Sequence, residues 1–118
     1  MSRARDLGVS GEAAAVRYLE KQRYDIISRG FRFHRGEIDI IARDRGTLVF
    51  VEVKTRRNLE CGQPEESVTP AKQEQIRKIA EAFLAVSHNE NAPCRFDILS
   101  LLQEGDGEFS VRHIRDAF

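Results

Sequence analysis

The chain has 118 residues, 41 % of them hydrophobic and 32 % charged, with 19 Lys and Arg against 19 Asp and Glu. That apolar share at zero net charge excludes intrinsic disorder, and the balance of signs excludes a general nucleic-acid coat protein, whose affinity comes from surplus cations. No apolar run approaches the ~20 residues of a membrane span. Met1 to Asp6 is charged with no apolar stretch behind it, and Cys61 and Cys94 form no disulfide or metal framework. The expectation is one domain, residues 1–118, cytoplasmic, with free thiols and no membrane contact.

The first element is a helix over Leu7 to Arg23, where Val9, Ala13, Val16 and Leu19 recur at helical spacing. A strand follows from Tyr24 to Phe33. Glu37 to Arg43 and Thr47 to Thr55 alternate, are rich in Ile and Val, and flank Asp44-Arg45-Gly46, which reads as a β-hairpin. Arg56 to Val68 contains Gly62 and Pro64 and reads as a long loop. Thr69 then caps a helix that has Pro70 at its first position. Ile76, Ile79, Ala80, Phe83 and Leu84 make one buried face of that helix. Arg95 to Leu102 and Phe109 to Ile114 are two further strands, joined by a turn at Gly105-Asp106-Gly107. The order α-β-β-β-α-β-β predicts an α/β fold, a mixed β-sheet flanked by helices, with the strand–helix–strand segment as a parallel crossover.

The chemistry concentrates in Gly36-Glu37-Ile38-Asp39-Ile40-Ile41-Ala42 and Val51-Glu52-Val53-Lys54. With Arg45-Gly46 as a two-residue turn, Asp39 falls opposite Glu52 and Glu37 opposite Lys54. Two carboxylates with Cβ atoms about 5 Å apart on one face destabilise a sheet unless something compensates. A divalent cation does so, since Mg²⁺ is held by one or two carboxylates together with waters and substrate phosphate. Lys54 emerges on the same side, where it can orient a water or balance charge on a phosphate. The plainer alternative is a solvated hairpin face. Against it, Leu48 and Phe50 precede Glu52 on that face, so the charges end an apolar wall. On the first helix Glu12 lies beside the apolar stripe. It is either a helix-edge residue favoured by the macrodipole or a third carboxylate aimed at the pair.

Asp39, a gap of twelve residues and then Glu52-Val53-Lys54 resembles the PD-(D/E)xK nuclease signature. A glutamate on the preceding helix is similar to the arrangement of archaeal Holliday junction resolvases. The blocks Gly11-Glu12, Gly36-Glu37-Ile38-Asp39, Val49-Phe50-Val51-Glu52-Val53-Lys54, Ser67-Val68-Thr69 with Lys72, and Arg95-Phe96-Asp97 resemble the bacterial YraN-like family over nearly the whole chain. The resemblance implies a restriction-endonuclease-like core with Mg²⁺ (or Mn²⁺) held by Asp39, Glu52 and the Val53 carbonyl, with Glu12 completing the shell. Lys54 would position the attacking water electrostatically. The implied activity is metal-dependent hydrolysis of phosphodiester bonds in branched or single-stranded nucleic acid, DNA in preference to RNA. The alternative is a catalytically silent nucleic-acid or protein-interaction module on the same fold. A two-carboxylate glycosidase needs no adjacent Lys and fits less well.

Candidate nucleic-acid contacts flank the carboxylates: Arg32 and Arg35, with Arg29 and His34 nearby, on one side, and Arg56 and Arg57 on the other. Phe31 and Phe33, interleaved with the first group, either stack a base or simply face the core. Lys72 and Gln75, in the opening turns of the second helix, are further candidates, the alternative being a plain exposed helical turn. His34 lies near the acidic cluster, whereas His88 and His113 read as surface or helix-end residues. Arg95 and Asp97 read as a structural ion pair. A homodimer or partner protein could enlarge the cationic surface.

Overall fold

The computed structural model describes the backbone of residues 3–57 and 63–118 and, outside residues 3–9 and 64, their side chains. Cys61, Gly62 and the side chain of Val9 lie outside the described residues. Helix α1 (Arg3–Lys21) leads into strands β1 (Asp25–Phe33), β2 (Gly36–Asp44) and β3 (Thr47–Arg56). A 3₁₀ turn (Pro64–Ser67) precedes α2 (Pro70–Val86), followed by β4 (Cys94–Gln103) and β5 (Phe109–Ile114). The five strands form one sheet in the order β1-β2-β3-β4-β5. β3 and β4 run parallel and every other neighbouring pair is antiparallel, so the mixed α/β sheet and the α-β-β-β-α-β-β order are both observed.

The sheet separates two apolar clusters. On one face Ala14, Ala15 and Leu19 of α1 pack against Ile40, Ala42, Val49, Val51, Leu99 and Leu101. On the other, Ile76, Ile79, Ala80 and Phe83 of α2 pack against Ile41, Leu48, Phe50 and Ile98. The buried face of α2 is the expected one. On α1 the expectation is met in part: Leu19 is buried as expected and Val16 packs half-buried against the cluster, while Ala13 is only half-buried and Ala14 and Ala15 take the interior places. The shift follows from Gly11, where an added Cβ would stand 2.3 Å from the Thr55 side chain. α1 lies so close to β3 there that only small residues fit beneath it.

The β2–β3 register runs as expected from Asp44 opposite Thr47 to Ile40 opposite Val51 around the Arg45-Gly46 turn. The ladder ends there, so the expected Asp39–Glu52 and Glu37–Lys54 rungs are not formed, and Glu37 instead lies opposite Arg32 on β1. Thr69 caps α2, its hydroxyl accepting from the Lys72 N–H at 3.3 Å, with Pro70 in the first turn. Strict alternation fails at two places, at a bulge in β1 between Ile26 and Ser28 and in the middle of β2. Ile40 packs on the α1 side and Ile38 on the α2 side, although they are two residues apart. Between the rungs Arg29–Ile40 and Phe31–Ile38 lie Gly30 and Asp39, and Gly30 has φ +68°. A left-handed residue in mid-strand, cheap only for glycine, rotates the ladder and turns both strands over. Among the described residues no helix is long and apolar enough to cross a membrane.

Candidate active site

Asp39 sits where β2 changes face, and β3 supplies its neighbours. The Val53 N–H donates to Asp39 Oδ2 at 2.8 Å, which ties the carboxylate to the β3 backbone. Burial, a hydrogen bond with Glu52 and the charge of Glu52 push the Asp39 carboxyl up to about 8, against the opposing pull of the Val53 N–H and Lys54. The cause is elementary: two carboxylates withdrawn from water cannot both ionise at little cost, so one keeps a proton. Glu52 is only 7 % exposed, which excludes the solvated-face alternative. Among the described residues its Oε2 has no hydrogen-bond partner, and Lys72 Nζ stands at 3.7 Å, ion-pair range without a hydrogen bond. A buried carboxylate oxygen left in that condition costs about 1–3 kcal/mol or more.

The expected site residues therefore divide. Asp39, Glu52 and Val53 come together, and the charge of Lys54 is felt at Asp39. Lys72, a candidate contact for nucleic acid, reaches Glu52 itself. Glu12 is not brought into the pair. Its carboxylate meets Arg29 Nε at 3.5 Å, and Arg29 lies across the ladder from Ile40. Among the described residues, no three His, Cys, Asp or Glu side chains converge to hold a metal ion. The fit of the donors to a hard cation thus rests on two carboxylates, which is within what Mg²⁺ accepts when water and phosphate complete its shell.

The basic candidates divide as well. Arg32 is exposed and within 3.7 Å of Glu37, while Arg35 and Gln75 line one groove between the β1–β2 turn and α2. Arg56 caps its own strand, Nη1 donating to the Thr55 carbonyl at 3.1 Å, and Arg57 lies just past the strand end. Phe31 packs edge-on against Phe83 at 5.2 Å, as a core residue does, whereas Phe33 is 40 % exposed. Lys78 also lines the groove and escaped the sequence reading. Its signal was position, one turn beyond Gln75 on the same helix.

The surface reading of His113 is overturned. Its side chain is 5 % exposed, with Nε2 at 2.7 Å from Asp97 Oδ2 and Nδ1 at 3.1 Å from the Tyr18 hydroxyl. Arg95 and Asp97 do form the expected ion pair, through Arg95 Nε at 2.9 Å and Nη2 at 3.0 Å. The same guanidinium reaches Asp44 at 3.2 Å and the Tyr24 hydroxyl at 2.8 Å.

The family follows from comparison of the whole chain. Residues 11–101 match the uncharacterised protein family UPF0102. The chain belongs to that family. A UPF0102 protein of Geotalea uraniireducens (strain Rf4) is 53 % identical over 114 residues, covering 97 % of this chain and 90 % of the relative. Another, from Symbiobacterium thermophilum, is 47 % identical over 115 residues and 98 % of each chain. A third, from Prosthecochloris aestuarii (strain DSM 271 / SK 413), is 48 % identical over 118 residues, 96 % of this chain and 93 % of its own. The YraN-like resemblance and the UPF0102 match cover the same Asp39, Glu52 and Lys54 blocks.

Proposed function

We propose that this UPF0102 member is a metal-dependent endonuclease that hydrolyses phosphodiester bonds in branched or single-stranded DNA. The observation that carries the proposal is the buried Asp39–Glu52 pair, short of donors on Glu52 Oε2 and holding a proton near neutral pH. A carboxylate pair serving structure alone would be saturated with N–H groups or exposed to water. Asp39, Glu52 and the Val53 carbonyl would hold Mg²⁺ or Mn²⁺, which supplies Lewis acidity at the phosphate and lowers the pKa of a bound water. The residues themselves have distinct tasks. Asp39 gives up its shared proton when a cation enters, the Val53 N–H keeps its carboxylate aimed, and Lys54 places positive charge where a phosphate would gather negative charge. In the reaction a water oxygen bonds to phosphorus and the P–O bond to one sugar breaks. One strand end then carries a phosphate and the other a hydroxyl.

One further reading has its own support. Lys72 already faces Glu52 and the chain has no net charge, which also suits a silent binding module. Thermal unfolding of the wild type and Asp39→Asn, with and without Mn²⁺, separates the two. At ten times its dissociation constant a cation stabilises the native state by about 1.4 kcal/mol, several degrees for a domain of this size. The expected result is a shift in the wild type, none in Asp39→Asn, and Mn²⁺-dependent nicking of a branched DNA that Glu52→Ala abolishes. Equal shifts in both proteins, or cleavage surviving Glu52→Ala, would remove the proposal.

A further inference from the structure

The groove between the β1–β2 turn and α2 brings aromatic, cationic and amide side chains together. It measures about 420 Å³, and Phe33, His34, Arg35, Gln75, Lys78 and Ile79 line it. Ile79 forms its floor, so close to Gly36 that a Cβ there would stand 2.3 Å from the Ile79 Cδ1. Phe33 and Gly36 close a two-residue turn whose first residue, His34, has φ +55°. That turn leaves the Phe33 ring 40 % exposed, with the His34 ring edge-on at 4.2 Å. Among the described residues, neither Arg35 nor Lys78 makes an ion pair. An exposed aromatic face, two unneutralised cations and an amide on one groove are the groups that take a nucleobase and its phosphate.

The groove also neighbours the carboxylates along α2, although the two hollows share no lining residue. Ile38 and Ile76 line a narrow crevice that ends at Glu52, and they are near neighbours in sequence of Gly36 and Ile79 at the groove floor. Lys72, which faces Glu52, and Gln75, which lines the groove, are three residues apart on α2 and so share a side of it.

We infer that this groove binds an unpaired nucleotide next to the scissile phosphate, with the base on Phe33 and the phosphate between Arg35 and Lys78. The duplex is a poor occupant, because its bases present their faces to one another and an aromatic side chain at a groove wall reaches them only when they are splayed out. The inference rests on the nuclease proposal for its orientation, and it narrows the substrate to strands with unpaired nucleotides such as flaps, gaps or overhangs. Gln75 supplies the amide that can meet a base edge, and the hairpin tip sets how far the strand can enter.

The test is binding without metal, in chelator, so that cleavage plays no part. Fluorescein-labelled oligodeoxythymidylate, a blunt duplex of the same length and oligouridylate are titrated by anisotropy. The single strand is expected to bind more tightly than the duplex, and Phe33→Ala to weaken it by between about five- and a hundredfold, the range of one aromatic–base stack. Phe33→Tyr should restore binding. Arg35→Ala and Lys78→Ala should each flatten the log–log salt dependence by about 0.7, as loss of one phosphate contact does on a single strand. Ile27→Ala, which removes an equally exposed side chain elsewhere on β1, serves as control and should change nothing. No binding, equal binding to duplex, or an unchanged Phe33→Ala would overturn the inference. A lost Mn²⁺ response with intact single-strand binding would instead count against the nuclease proposal and leave the groove standing.

Discussion

Asp39 on β2 and Asp97 on β4 are both withdrawn from water, and burial alone would raise the pKa of each. Asp97, fully buried, meets His113 Nε2, both nitrogens of the Arg95 fork and the Asp116 N–H at 3.0 Å. Burial pushes its carboxyl up, but those donors outweigh it and hold the group below the usual carboxylate range. Asp39 has one backbone donor and a second carboxylate, and its carboxyl rises to about 8. The difference teaches that depth does not mark a functional acid; the supply of donors does. At Asp97 the chain surrounds a permanent anion with donors, and at the Asp39–Glu52 pair it leaves a carboxylate oxygen unsatisfied.

The strongest way to break that contrast is to empty each site in turn. Asp97→Ala leaves Arg95 and His113 without their shared acceptor and should cost about 3–5 kcal/mol in denaturant unfolding, because a buried charge is stranded. Asp39→Ala removes a carboxyl that burial and Glu52 already disfavour and should cost far less; equal losses would mean that both pairs are structural.

A smaller effect separates the two by pH. Asp39 takes up a proton more readily folded than unfolded. Its contribution to stability is therefore fully present below about pH 4 and is lost as pH rises toward 8. The slope for one such proton is at most about 1.4 kcal/mol per pH unit. Asp97 runs the other way, stabilising above the ordinary carboxylate range and losing its contribution as pH falls through its own lowered value. Urea midpoints measured from pH 3 to 9 should show the Asp39 decline in the wild type and its disappearance in Asp39→Asn. The Mn²⁺ shift should also grow from pH 6.5 to 8.5, since the cation then displaces less proton.

The smallest expected effect is at Glu12, whose pair with Arg29 is partly exposed on both sides and worth no more than ~1 kcal/mol. Glu12→Ala should leave the Mn²⁺ shift intact. Its loss would place Glu12 in the metal shell and redraw the site.

Much of this was legible before any coordinates. A two-residue turn at Arg45-Gly46 determines which residues of the hairpin face each other, and Thr69-Pro70 marks a helix start by chemistry that needs no tertiary context. What failed were features made by distant chain. His113 stands on a strand that reads as half-exposed, and only Tyr18 from α1 and Asp97 from β4 make it an interior residue. Nothing in the sequence around Gly30 marks its left-handed backbone, which lies beside the change of face at Asp39. Lys72 was placed at a helix start, but that it reaches Glu52 depends on where the crossover lays α2.

The hairpin register also orders events in time. Asp39 and Glu52 lie just past the end of one hairpin ladder, Ile40 opposite Val51, so they come together as soon as β2 and β3 zip. The Asp97 cluster joins residues as far apart as Tyr18 and His113, and its loop must close against a larger chain entropy. In a chevron experiment, Asp39→Asn should therefore steepen its gain on the refolding side, with faster folding. Asp97→Asn should register mainly as faster unfolding. A single sheet thus pairs a local carboxylate conflict with a long-range lock, and Asp97→Asn is expected to shorten the half-life of the native protein more than Asp39→Asn does.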